Sequence, residues 1–236
     1  MKNYKDFLNE AQISVLGSNL DINQVNYGNP PREYIEIMQR PDDQLKKWFI
    51  ENGVYEKISK ESPLNDSDTT KKDLVYLLNR TAKATAEEIT FARHVDDVSN
   101  LAQAFIDLLD EKGHKEDMGG FFMIDQQTEG LLHFLKDAIN RPRPYQLAKY
   151  YNYPLYPLIR TDAMSASYPS GHALTAYVMS EHYAKKYPDA AADIKALGQR
   201  IAESRELTGI HYPSDTLISK EICKIICENN LIKFQF

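Results

Sequence analysis

Cysteine is nearly absent from the 236 residues: only Cys223 and Cys227 occur, four apart. A disulfide framework is implausible, and two thiols without a nearby Cys/His pair make a poor zinc site. Buried free thiols in a reducing compartment are the expectation. Long apolar runs are missing too. The longest, such as residues 119–124, fall far short of the roughly 20 residues a membrane-spanning helix needs. The opening stretch Met1-Lys2-Asn3-Tyr4-Lys5-Asp6 is broken by charge and has no signal-peptide apolar core. A soluble, cytoplasmic product with no integral membrane segment is expected. An excess of positive charge is likewise absent, since the formal net charge is -6. That argues against a broad nucleic-acid surface, which needs clustered Lys and Arg. No Asn-Gly or Asp-Gly turn joins alternating apolar runs, so hairpins are not expected. No repeat or low-complexity tract interrupts the chain.

What is present reads as helix. The chain is 42% hydrophobic and 26% charged, an ordinary balance for one folded core. A short amphipathic helix is expected over residues 4–15, followed by a polar, turn-rich stretch at 17–31. Pro30-Pro31 starts a helix reaching about residue 40, and Pro41-Asp42-Asp43 caps another to about 52. Helices are then expected from about 70 into 82–86 and from about 87 to 112. In the second, Val98, Leu101, Ala102, Phe105, Leu108 and Leu109 recur at helical steps. A break at Gly113-His114-Lys115 precedes a helix from about 128 to 140, ended by Pro142 and Pro144. Residues 145–168 form an irregular connection rich in Tyr and Pro. Helices over 170–186, 189–208 and 213–229 complete an all-α, single-domain bundle of seven to nine helices. Residues 1–65 are set apart as an accessory helical region and 66–236 as the main bundle.

Three segments carry the chemistry. Lys136-x6-Arg143-Pro144 places two cations nearly two helical turns apart, which on a regular helix would share one face; Arg141 could add charge. Pro169-Ser170-Gly171-His172 stands at a helix start. Ser170 is a natural N-cap there, Gly171 lets backbone come close to a ligand, and free amides with the dipole behind them attract an anion. Ser204-Arg205-x5-His211-x3-Asp215 puts a cation near a helix end that Gly209 terminates. His211 and Asp215 are one turn apart, so the carboxylate can accept from one imidazole nitrogen and leave the other free to attack. Each segment alone has a plain structural reading: a solvated basic helix end, an N-cap beside an incidental histidine, a structural His–Asp pair. About ten specified positions in fixed order make coincidence negligible. His94, His114, His133 and His182 lack phosphate-binding neighbours, and Asp96-Asp97 reads as a solvated helix face.

Over residues 90–220 these segments resemble the signature of the phosphatidic acid phosphatase type 2 superfamily, which includes bacterial class A acid phosphatases and vanadium haloperoxidases. The Lys136-x4-Arg141-x-Arg143-Pro144 pattern, with Ser167-Tyr168 before Pro169, is most similar to the soluble acid phosphatases. The resemblance implies a metal-independent, vanadate-sensitive phosphatase without cofactor, acting on small phosphorylated substrates. It implies that Lys136, Arg143, Ser170, Gly171 and Arg205 hold phosphate oxygens. His211, aligned by Asp215, attacks phosphorus, and His172 protonates the leaving oxygen. A homo-oligomer would be in keeping with the acid phosphatases. Two rival readings share the residues: vanadate-dependent halide oxidation, and a non-catalytic phosphate or nucleotide binder.

Overall fold

The computed structural model describes residues 21–40, 43–160 and 164–232. The helix expected over 4–15, and residues 41–42 of the expected cap, lie outside the described residues. Eleven α-helices are present among the described residues, ten of them of seven residues or more, and no strand occurs there. They are α1 (Arg32–Met38), α2 (Gln44–Glu51), α3 (Val54–Glu61), α4 (Asp68–Ala82), α5 (Ala86–His94) and α6 (Val98–Glu111), then α7 (Met118–Ile139), the single turn α8 (Pro144–Leu147), α9 (Gly171–Lys186), α10 (Ala191–Leu207) and α11 (Pro213–Glu228). The all-α class is as expected, with slightly more helices than the sequence indicated.

Local capping chemistry explains most boundaries. Asp43 accepts from Lys46 N at 2.8 Å, Ser67 from Thr70 N at 3.2 Å, and Asp117 from Gly119 N at 2.7 Å. Thr85 and Glu88 form a reciprocal capping box. Each such cap contributes about 1 kcal/mol. The differences from the sequence reading have identifiable causes. The Asn52-Gly53 pair is a link between α2 and α3, with Gly53 in the left-handed region at φ 69°, so the polar stretch after it forms a helix of its own. The stretch expected as one helix from 87 to 112 is two, because Asp97 caps Ser99 N and Asn100 N and restarts the chain as α6. The helix α7 begins ten residues before the expected start, with Gly119 and Gly120 inside it. The connection at 145–168 contains α8 and a 3-10 turn (Ala148–Tyr151). Tyr150, Tyr151 and Tyr153 in it pack a satellite cluster with Leu74, Leu77, Leu147 and Tyr212.

The main core is continuous from Leu45 and Phe49 of α2 through α6, α7, α9, α10 and α11. α9 is its axis, buried from Ala173 through Ser180 and packed on α7, α10 and α11. α1, α2 and α3 all lie against α7. α9 and α10 approach closely at Gly198, where a Cβ would stand 1.9 Å from Ser180 Oγ. Because α11 follows α10 after a short turn, the start of α9, the end of α10 and the start of α11 meet at one end of the bundle. Cys223 is buried as expected, whereas Cys227 is exposed on the outer side of α11.

Glu206, in the last turn of α10, is 8% exposed. Burial, with Glu203 nearby, pushes its carboxyl up to about 7. The folded protein therefore holds this proton more tightly than the unfolded chain, and stability contributed by the neutral form is lost as pH rises from about 4.5 toward 7. The size is on the order of 3 kcal/mol. Glu206→Gln should flatten that loss, so its urea midpoint should exceed that of the parent at pH 8 and match it near pH 5. An unchanged pH dependence in the variant would show that this carboxyl is not the source.

Candidate active site

Lys136 lies in the last turn of α7, and Arg143 does not share its helix. The expectation of one common helical face is corrected by Asn140, whose left-handed φ of 50° ends α7. The chain then runs extended through Arg143, which caps α8 with Pro144 at its first position. The two cations converge because the backbone turns back, and both meet the segment 165–167. Lys136 Nζ donates to Ala166 O at 2.5 Å, and Arg143 Nε and Nη2 donate to Ser165 O at 3.0 and 2.9 Å. Both side chains are buried, and neither has a carboxylate partner among the described residues. Burial and the neighbouring Arg143 charge hold Lys136 well below its ordinary pKa.

At the start of α9, Ser170 is buried and accepts from Ala173 N at a long 3.4 Å. Gly171 packs closely, since a Cβ there would stand 2.9 Å from Leu132 Cδ2 and that side chain would have to shift. His172, in the first turn and partly exposed, has Nε2 2.9 Å from Asp96 O. A carbonyl can only accept, so Nε2 carries the proton and Nδ1 is the nitrogen left for chemistry. Desolvation, with Arg205, Arg143 and Lys136 nearby, lowers the His172 pKa well below the usual value.

Arg205 ends α10 beneath Gly209, whose φ of 73° turns the chain toward His211. Its Nη2 is ion-paired with Asp96. Its Nε and Nη1 are buried with no partner among the described residues. Unpaired guanidinium nitrogens in a dry site cost free energy unless an anion meets them. His211 precedes α11 and does not lie on it. Its Nδ1 is 3.1 Å from Asp215 Oδ2, at the third position of that helix, so the expected pair forms through an N-terminal box and not through a helical turn. Asp215 Oδ2 also accepts from Tyr212 N at 3.0 Å and Ser167 Oγ at 2.5 Å. With Nδ1 donating, His211 Nε2 is a lone pair, and Arg143 Nη1 stands 3.0 Å from it. Burial and the Arg143 charge lower the His211 pKa well below normal, which keeps that lone pair available near neutral pH.

All eight residues expected at the site are thus gathered around the converging ends of α7, α9, α10 and α11. Arg143 contacts His211 directly, and the Arg143 and Lys136 charges lie within electrostatic range of both His172 and His211. The sequence reading missed three contributors. Arg141 is not a further phosphate ligand: Nη1 donates to Asp215 Oδ1 and Ser214 Oγ, each at 2.7 Å, and the guanidinium stacks 3.8 Å over Tyr212. Ser167 clamps Asp215. Asp96, which reads in sequence as a solvated face, is the partner of Arg205. The Asp97 cap was the one available signal for it, because a helix that starts after Asp97 leaves Asp96 in the turn before it.

The PAP2 superfamily profile matches residues 127–226. The chain is similar to the PAP2 superfamily over that span. The matched span runs from within α7 to within α11 and holds all eight expected residues. A solved structure of like fold is the first transmembrane PAP2 type phosphatidylglycerolphosphate phosphatase from Bacillus subtilis, 16% identical, with a TM-score of 0.50, covering 78% of this chain and 95% of that one. At that identity the likeness speaks for the fold. No match was found among curated proteins. That neighbour is transmembrane, whereas no helix among the described residues here is long and apolar enough to cross a membrane. Asp96 lies outside the PAP2 span and is brought to it by the α5–α6 turn.

Burial alone would raise the Asp215 carboxyl, but Arg141 and the donors from His211 and Ser167 outweigh it and hold it below the carboxylate range. Removing Arg141 strands a buried charge, which typically costs 3–5 kcal/mol. Arg141→Ala should lower stability by about that amount in urea unfolding at pH 7, with an unchanged denaturant slope. A loss below about 1 kcal/mol would mean that the pair contributes little.

Proposed function

We propose that the chain is a phosphatase that hydrolyses phosphomonoesters or phosphoanhydrides through a phosphohistidine, with small soluble phosphorylated compounds as substrates. The match to the PAP2 superfamily over residues 127–226 and the fold shared with a PAP2-type phosphatase support phosphatase chemistry. The observation that carries the residue-level reading is the pair of buried Arg205 nitrogens without a partner among the described residues, in electrostatic range of the buried Arg143 and sharing His172 as a neighbour with Lys136. Such preorganised donors stabilise charge on transferring phosphoryl oxygens.

In this reading the nonbridging oxygens bind Lys136, Arg143, Arg205, Ser170 and the Gly171 amide. Arg143 turns from His211 Nε2 to the phosphate, which releases the lone pair. His211 Nε2 attacks phosphorus while the P–O ester bond breaks, and the leaving oxygen takes the Nδ1 proton of cationic His172. The Nδ1 of His172 then removes a proton from water, whose oxygen attacks phosphorus, breaks the P–N bond and releases phosphate. Asp215 steadies the positive charge that develops on His211.

Two outcomes follow. Rapid-quench labelling with a radioactive phosphate ester should trap acid-labile phosphohistidine in the parent protein and none in His211→Ala. Label in the variant, or none in the parent, would contradict the nucleophile assignment. The pH profiles should also separate. In the free protein the depressed His172 pKa makes kcat/KM fall from below pH 6.5 as the acid is lost. A bound phosphate dianion compensates the surrounding cations and raises that pKa, so the falling limb of kcat should lie at higher pH. Coincident limbs would contradict the coupling.

A further inference from the structure

The helix α4 precedes the matched PAP2 span, yet two of its side chains reach the framework around Asp215. Asp73, 12% exposed, stands at the start of α11. Its Oδ2 accepts from Ser214 Oγ at 2.5 Å and from Ser214 N at 3.3 Å. Ser214 is in the first turn of α11, so a carboxylate from another helix occupies a place where the helix dipole favours negative charge. Thr70, one turn earlier on α4, accepts from Arg141 Nη2 at 3.1 Å. Asp73 Oδ2 itself lies 4.0 Å from that nitrogen.

Two hydroxyls are turned the same way by these contacts. A Ser or Thr hydroxyl has one proton to give and lone pairs to accept with. Ser214 gives its proton to Asp73, and Thr70 gives its own to Leu64 O at 2.8 Å. The lone pairs of both oxygens therefore face Arg141, whose Nη1 donates to Ser214 Oγ and to Asp215 Oδ1. A continuous chain of hydrogen bonds runs from Asp73 through Ser214, Arg141 and Asp215 to Nδ1 of His211. Bonds linked in this way polarise one another. Burial raises the Asp73 pKa, and the Ser214 donors and the Arg141 charge oppose that rise. Among the described residues Asp73 has no hydrogen bond or ion pair to Lys136, Arg143, Ser170 or Arg205.

We propose that Asp73 is a positioning residue for the His211–Asp215 pair, acting through Ser214 and Arg141 to hold the imidazole by its Nδ1 hydrogen bond. The consequence for turnover rests on the phosphatase reading; the placement of the ring does not. Asp73 has no part in bond making. Without its carboxylate the Ser214 proton loses its acceptor, the hydroxyl is free to turn away from Arg141, and the guanidinium holds Asp215 less firmly.

The Nδ1 proton of His211, followed by NMR in the full chain with 15N-labelled histidine, reads this placement without relying on turnover. Its resonance is the one missing from His211→Gln, and in the parent protein it should be protected from exchange with water. Asp73→Asn and Ser214→Ala should each speed its exchange about tenfold, and the double variant should be no faster than either single one. Asp73→Glu should restore most of the protection. With a phosphate ester, Asp73→Asn should lower kcat about tenfold and leave KM unchanged, because the cradle is untouched. Unchanged exchange in Asp73→Asn would overturn the proposal, and continued ester hydrolysis would then leave the phosphatase reading standing. Effects of the two substitutions that add would overturn the shared route, and so would a parent proton that exchanges freely. A lower kcat without faster exchange would also overturn it, as a general structural effect. Faster exchange in the variants of a parent that hydrolyses no ester would support the positioning and defeat the phosphatase reading instead. Ser214→Ala, which breaks the same link from the α11 side, decides the matter if Asp73→Asn does not fold.

Discussion

One buried carboxylate holds the site together. Asp215 receives Arg141 on one oxygen and His211, Ser167 and the Tyr212 amide on the other, while its backbone oxygen accepts from Ser170 N at 3.3 Å. These donors come from the α7–α8 turn, the segment before α9, and the start of α11. A single fully buried charge thus ties together three pieces of chain that are distant in sequence. Charge-assisted hydrogen bonds are short and directional, so the same contacts that stabilise the ion also fix the ring of His211 and its tautomer.

Cation placement follows from this framework. Lys136 and Arg205 occupy the last turns of α7 and α10, where helix dipoles favour positive charge. Carbonyl oxygens of residues 165 and 166 orient Lys136 and Arg143 without neutralising them. Among the described residues Asp96 alone pairs with Arg205, and it uses one of that residue's terminal nitrogens. The result is a dry region of depressed Lys and His pKa values, in which an entering anion is favoured and in turn raises those pKa values. Arg143 has two alternatives, the His211 lone pair or an anion, and this links binding to the release of the nucleophile in the proposed mechanism.

The sequence made the helices legible where caps and prolines stand beside apolar periodicity, as at Ser170, Pro213 and Asp43. It was less informative where one signal masked another. Asn52-Gly53 separates two helices, Gly119 and Gly120 sit inside one, and Asp97 divides a stripe that looks continuous. The candidate site residues stood out because they occur at characteristic spacings and carry obvious chemistry. The supporting residues do not. Arg141, Ser167 and Asp96 matter through side-chain contacts made across 48 to 109 residues of chain, and no local pattern marks such a partner. Arg141 illustrates the difficulty, since its charge suggested a phosphate ligand while burial commits it to Asp215. The tyrosines divide in the same way: those at 150–153 pack a satellite core, whereas Tyr27 and Tyr34 line a narrow cleft beside Lys136.

Calorimetric titration of the full chain with sulfate, a tetrahedral dianion that does not itself titrate near neutrality, tests the central claim most directly. Run at pH 7 in buffers of different ionisation enthalpy, it should show saturable binding with net proton uptake, because the anion raises the depressed pKa values of His172, His211 and Lys136. Binding without proton uptake, or no binding at all, would contradict the view that buried, mutually repelling cations form an anion site.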